Sequence, residues 1–182
     1  RERVVDIARQ TPPEQVADAL WSVFAHSKTW GRMEAEDRQV LAGLIDVQEI
    51  ALALKNRILA ATSGPATTIF SQACRSHAMD PWISEFAHSA RQPSVRARAY
   101  RCLLEQRTVW FAGRKWKWTE LKWCKGRFEP ILEERPMTVS VNVPEELEKA
   151  AMDPSPMVRR VAGELLIRHL QLPGLKAVAM AH

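Results

Sequence analysis

Apolar residues recur along this chain at helical spacing, and prolines punctuate them. Thr11-Pro12-Pro13-Glu14 offers a capping hydroxyl, a proline at the first helical position and a glutamate three after the cap. Behind it Val16, Leu20, Trp21 and Phe24 line one helical face. A wide stripe from Val40 to Leu59 predicts a second helix over 35–61, buried on most sides. Ser63-Gly64-Pro65 stops it and starts a third over 66–78. Asp80-Pro81 caps a helix at 82–91, and Gln92-Pro93-Ser94 separates it from another that runs to Gln106. Asn142-Val143-Pro144-Glu145 opens two more, at 144–152 and 156–170.

The stretch 107–143 breaks this rhythm. Thr108–Phe111 is β-branched and aromatic, Gly113-Arg114 has the look of a turn, and Lys115–Thr119 alternates lysine with tryptophan. These features predict a short hairpin. Leu121–Glu134 reads as a return to helix, and Met137–Val143 as a strand or an extended linker.

Two blocks repeat without gaps at an offset of 63 residues. Pro93-Ser94-Val95-Arg96 matches Pro156-Met157-Val158-Arg159, and Ala99, Cys102 and Leu103 fall on Ala162, Leu165 and Leu166. Upstream, Ala87 falls on Ala150. Each block is a short helix, a tight turn and a longer helix that opens with Val-Arg. So short a loop makes an antiparallel pair, and a lone pair cannot bury its apolar face, so such units stack.

The second block, Ala151–Leu166, resembles the core of a HEAT repeat: Asp153, Val158, Arg159, Ala162 and Leu166 match that family's pattern. The first block is similar but carries Ala90 where the pattern has aspartate. The resemblance covers roughly 50 residues. It implies an all-α fold of stacked antiparallel helix hairpins, a single domain over 1–182, with 107–143 inserted between pairs. It also implies that Arg96, Arg159 and Asp153 bridge neighbouring units. The chain opens on arginine and closes on an apolar run without a helix stop. A complete domain and a piece of a longer repeat protein both remain open.

Composition narrows the function. At 182 residues, 46% hydrophobic and 26% charged, the chain can bury an ordinary core. No apolar run suffices to span a bilayer, since Asp46, Glu49, Lys55 and Arg57 interrupt the longest. No signal peptide opens the chain. Cys74, Cys102 and Cys124 have no paired spacing, which predicts free thiols and a cytoplasmic setting. The motifs of nucleotide binding, nucleophile elbows and zinc proteases are missing. Cys74-x-x-His77 has ligand spacing but no second pair, and Glu133-Glu134 reads as a solvated pair. No catalysis, cofactor, metal or small-molecule substrate is expected.

Charge points to one place. Residues 1–90 carry nine basic and eleven acidic groups, net −2; residues 136–182 carry five of each. Residues 91–135 carry twelve basic against five acidic groups, net +7. Here Trp110, Trp116, Trp118 and Trp123 interleave with Arg114, Lys115, Lys117, Lys122, Lys125 and Arg127. Indole and guanidinium groups dominate protein-interface hot spots. The leading expectation is therefore a non-catalytic protein–protein interaction module, a scaffold that uses these ten residues. The alternative is nucleic-acid binding, because the same groups neutralise phosphates and stack on bases. A third reading leaves the indoles packed inward with the lysines in water.

Overall fold

The structure, a computed structural model, describes residues 2–26, 33, 35–118 and 126–170. Among these the chain forms α1 (Glu2–Gln10), α2 (Pro13–Ala25), α3 (Ala35–Gly43), α4 (Gln48–Ala60), α5 (Ala66–Ala73), α6 (Ile83–Ser89), α7 (Pro93–Glu105), β1 (Arg107–Lys117), β2 (Arg127–Pro136), α8 (Val143–Ala151) and α9 (Pro156–Leu170). The expected all-α class is thereby corrected. The helices carry a two-stranded antiparallel sheet whose strands are 11 and 10 residues long.

Several element boundaries differ from the sequence reading. The helix expected over 35–61 is cut in two. A 3₁₀ turn at Leu44–Asp46 follows Gly43, and Val47 is extended. The cut turns Leu44 and Ile45 into the core and brings the Asp46 carboxylate to the Ser76 hydroxyl at 2.6 Å. Thr11 does not cap α2; its hydroxyl donates to the Ile7 carbonyl at 2.7 Å, closing α1 instead. The helix expected over 66–78 ends at Ala73. A 3₁₀ segment at His77–Trp82, capped by the Ser76 side chain, leads into α6. Gly64, at φ +82°, makes the left-handed turn that precedes α5.

The core runs through the whole helical body. α2 offers Val16, Ala17, Leu20 and Phe24 to α4, which returns Ile50, Ala51, Leu54 and Ile58. Leu52 of α4 is exposed, so this helix is buried on one face rather than most. α5 adds Ile69 and Phe70, and Phe70 meets Phe86 of α6 edge-to-face at 5.0 Å. α7 packs on α6, α8 and α9 and buries Val95, Ala99, Tyr100 and Leu103.

The 63-residue repeat appears as a translation in space. Arg101 of α7 pairs with Glu164 of α9 at 2.7 Å, and Glu105 pairs with Arg168 at 3.0 Å. Both partners are 63 residues apart, so α7 and α9 lie side by side, parallel and unstaggered. The arginines that open the two helices do the same local work. Arg96 Nη1 donates to the carbonyls of Ala90 and Arg91, and Arg159 Nη1 to those of Asp153 and Pro154. Arg96 also reaches the next pair, its Nε and Nη2 donating to the two oxygens of Asp153 at 2.9 and 3.0 Å. His88–Glu146, at 2.8 Å, ties the same two pairs, and the His88 ring also lies against Tyr100 at 5.8 Å.

Ala99 on α7 is fully buried and Ala162 on α9 nearly so. Ala99→Leu forces three extra carbon atoms into fully buried space on α7 and should destabilise the fold by about 1–3 kcal/mol in urea unfolding. A change near zero would mean that the core is not closely packed around Ala99.

Candidate interaction surface on the hairpin

The hairpin begins where α7 ends. Gln106 adopts a left-handed conformation at φ 53°, and its N–H closes the helix onto the carbonyls of Cys102 and Leu103. Arg107 then starts β1 without a linker. The first half of β1 is clamped along its outer edge. Thr108 Oγ1 donates to the Cys74 carbonyl at 3.0 Å. Arg98 donates to the Val109 carbonyl at 2.6 Å, and Gln72 to the Phe111 carbonyl at 3.0 Å. Gly113-Arg114, expected as the turn, lies inside β1 instead. The register slips between Phe111 and Gly113, and Gly113 takes φ +155° beside the Arg38 guanidinium. Such a bulge bends the strand, and here it starts the exposed half. The return strand is 127–136, where a helix was expected: Arg127 pairs with Lys117, and Pro136 with Arg107.

A buried ion pair fixes the base of β2. Asp80 is shielded from solvent, and its two oxygens accept Arg135 Nη2 at 2.6 Å and Nη1 at 3.0 Å. Thr138 adds its N–H and its hydroxyl, at 2.9 and 2.8 Å. Arg135 also donates to the carbonyls of Arg75 and Ser76. Burial alone would push the Asp80 carboxyl up; the hydrogen bonds from Arg135 and Thr138 outweigh it and bring the pKa down to about 2.

Pairing across the strands sorts the side chains onto two faces. One face carries Phe111 and Leu132, Arg114 and Pro130, then Trp116 and Phe128. Trp116 meets Phe128 at 4.9 Å and Trp118 at 5.7 Å, both edge-to-face. Trp118 is 75% exposed, Phe128 and Leu132 62% each, and Trp116 43%. Gly126 lies against this cluster: a Cβ there would come 2.7 Å from the Trp116 ring. The other face is ionic. Lys117 and Arg127 both reach Glu129, at 3.5 and 3.0 Å. The hydrogen bond and charge of Arg127 hold the Glu129 carboxyl below its usual range. Pro130 interrupts the N–H row of β2, which discourages pairing with a further strand.

The expected site residues thus fall into four groups. Trp110 lies at the base, only 8% exposed; its indole N–H donates to Glu133 at 3.1 Å and Arg75 covers its ring at 5.7 Å. Arg114, Trp116 and Trp118 share or continue the aromatic face, whereas Lys115, Lys117 and Arg127 share the ionic one. Lys122, Trp123 and Lys125 lie outside the described residues. Phe128 and Leu132, prominent on the aromatic face, were absent from the sequence reading because 121–134 has the composition of a helix. The inward packing expected for Trp116 and Trp118 does not occur; the alternation separates two exposed faces rather than an inside from an outside.

Other chemistry found in the sequence is spoken for. Burial pushes the Cys74 thiol well above its ordinary value, and His77 is held by Asp80 and Arg135. Glu133 accepts from Trp110 and Glu134 from Arg107, on opposite faces of β2. Among the described residues no three His, Cys, Asp or Glu side chains gather to hold a metal, and no helix is long and apolar enough to cross a membrane. No protein-family model, curated protein or solved structure matches this chain.

Asp80 gives the base of the hairpin a pH signature. A carboxyl whose folded pKa is depressed stabilises the fold above its unfolded value and loses that contribution as pH falls through the folded one. Stability should therefore drop between about pH 4 and pH 2, with Asp153, also held low against its burial by Arg96, acting in the same direction. Asp80→Asn should flatten the drop in urea midpoints across that window. An unchanged pH profile in the variant would show that Asp80 is not held by Arg135.

Proposed function

We propose that this protein is a non-catalytic protein-interaction module, a cytoplasmic scaffold of helix pairs similar to those of HEAT-repeat proteins. It presents the aromatic face of its hairpin to a protein partner. The supporting observation is the exposed edge-to-face cluster of Trp116, Trp118 and Phe128, continued by Leu132 on the same face. Aromatic side chains clustered on a preformed surface lose little entropy on binding and release much water, which makes them interface anchors. Arg114, on that face, supplies a cation beside the rings. The clamped base favours the same reading, since an arm anchored at its base has less freedom to lose when it binds.

The nucleic-acid reading is less well supported. Lys117 and Arg127 share Glu129 on the opposite face, so part of the basic charge is already neutralised by the arm itself. Arg107 is likewise engaged by Glu105 and Glu134.

Two measurements separate these readings. Titration with duplex and single-stranded DNA and RNA at two salt concentrations should give no binding even at low salt. Binding that weakens steeply with salt, with a slope flattened by replacing Arg114, Lys115, Lys117 and Arg127, would favour nucleic acid. A bound protein should lose at least about 2 kcal/mol, roughly 30-fold in affinity, on Trp118→Ala. The melting temperature should stay in place, because that side chain is largely in solvent.

A further inference from the structure

The two outer edges of the hairpin are not alike. Alternate residues of an antiparallel strand turn their N–H and C=O groups to the partner strand, and the others turn them outward. The Met137 N–H meets the Gln106 carbonyl at 3.1 Å, so the odd-numbered residues of β2 turn inward, and Leu132, Pro130 and Phe128 turn outward. Opposite Pro130 and Phe128 stand Arg114 and Trp116, which therefore turn their backbone groups to the outer edge of β1. Before the bulge the outward carbonyls of Val109 and Phe111 are taken by Arg98 and Gln72, and the Arg38 guanidinium still stands beside Gly113. After it the helical body withdraws. Arg114, Lys115, Trp116 and Lys117 are all exposed, and among the described residues none outside the sheet bonds to the backbone of Arg114 or Trp116. The outer edge of β2 lacks an N–H at Pro130, whereas that of β1 has no such gap.

We propose that the outer edge of β1 at residues 114–117 is a strand-addition site for an extended segment of a protein partner whose side chains alternate apolar with acidic. The proposal gives the chemistry of the partner and rests on the protein-partner reading above. An added strand continues both faces of the sheet: its backbone completes the ladder and its alternate side chains meet different neighbours. On the aromatic face they lie beside Trp116, where apolar groups gain from burial. On the ionic face they lie beside Lys115 and Lys117. Lys117 shares one carboxylate, Glu129, with Arg127, and Lys115 makes no ion pair among the described residues. Carboxylates are what that side lacks. The same charges oppose a second copy of this chain, since pairing β1 with itself sets Arg114, Lys115 and Lys117 against their like. A nucleic acid carries no alternating N–H and C=O groups to complete the ladder.

The probe is a capped peptide of about seven residues that alternates glutamate with valine, long enough to span this edge, added to the full chain. Amide hydrogen exchange supplies the readout. In the free protein the amides of Arg114 and Trp116 should exchange fast and those of Lys115 and Lys117 slowly, because only the latter face β2. The peptide should slow Arg114 and Trp116 about tenfold or more and leave Lys115 and Lys117 as they were. N-methylating all its valines, or all its glutamates, strips the donors from one edge of the peptide. One of these two peptides should lose the slowing and the other should keep it. Binding that slows neither amide, or no binding at all, would overturn strand addition. The protein-partner reading would then stand or fall separately, on whether a bound protein is lost with Trp118→Ala. Equal slowing by a peptide of the same composition with its glutamates and valines in two blocks would also overturn it, by showing that charge alone suffices. So would Arg114 and Trp116 amides already slow in the free protein, and slowing that grows with protein concentration would assign the edge to a second copy of this chain.

Discussion

The buried pair between Asp80 and Arg135 decides how the rest of the molecule is used. A carboxylate removed from solvent is costly unless it is matched by charge and by hydrogen bonds. Arg135, Thr138 and His77 supply that match, and they come from the end of β2, the chain just beyond it and the 3₁₀ segment before α6. The hairpin cannot swing away without stranding Asp80. Its base is thereby tied to the helices beneath it, and Thr108, Arg98 and Gln72 fix the neighbouring edge through backbone carbonyls. A two-stranded sheet alone is marginal in water. Here the helical body stabilises its base, and the half beyond the Gly113 bulge is free to carry apolar side chains into solvent.

That division of labour explains two kinds of tryptophan within nine residues. Trp110 sits before the bulge, buried, with its indole N–H satisfied by Glu133; Trp116 and Trp118 come after it, exposed, with Trp116 edge-to-face against both Trp118 and Phe128. The last two helix pairs are organised by a separate rule, one translation secured by three ion pairs. Arg96–Asp153, Arg101–Glu164 and Glu105–Arg168 keep α7 and α9 in register where apolar packing alone would tolerate a slide. The two designs meet at Gln106, whose left-handed turn passes the chain from one to the other.

Much of this was legible in the chain. Prolines at the starts of α2, α7 and α9, with apolar residues at helical spacing behind them, located those helices. The offset of 63 located the repeat. What stayed hidden depends on partners distant in sequence. The cut between α3 and α4 is favoured by Asp46 bonding to Ser76, thirty residues away. Leu121–Glu134 has helical composition, and only pairing with β1 makes its second half a strand. The alternation of lysine and tryptophan at 115–118 announced two faces, but could not say that both meet water. Asp80 read as a helix cap because its true partner, Arg135, lies 55 residues downstream.

Hydroxyl-radical footprinting of the individual tryptophans tests the central claim most directly: a clamped base with an exposed aromatic arm. Trp118 and Trp116 should be oxidised quickly and Trp110 slowly in the native chain. In Arg135→Met, Trp110 should become reactive while Phe24 and Phe70 in the helical core stay protected. Slow oxidation of Trp118 in the native protein, or Trp110 reacting as fast as Trp118, would contradict it.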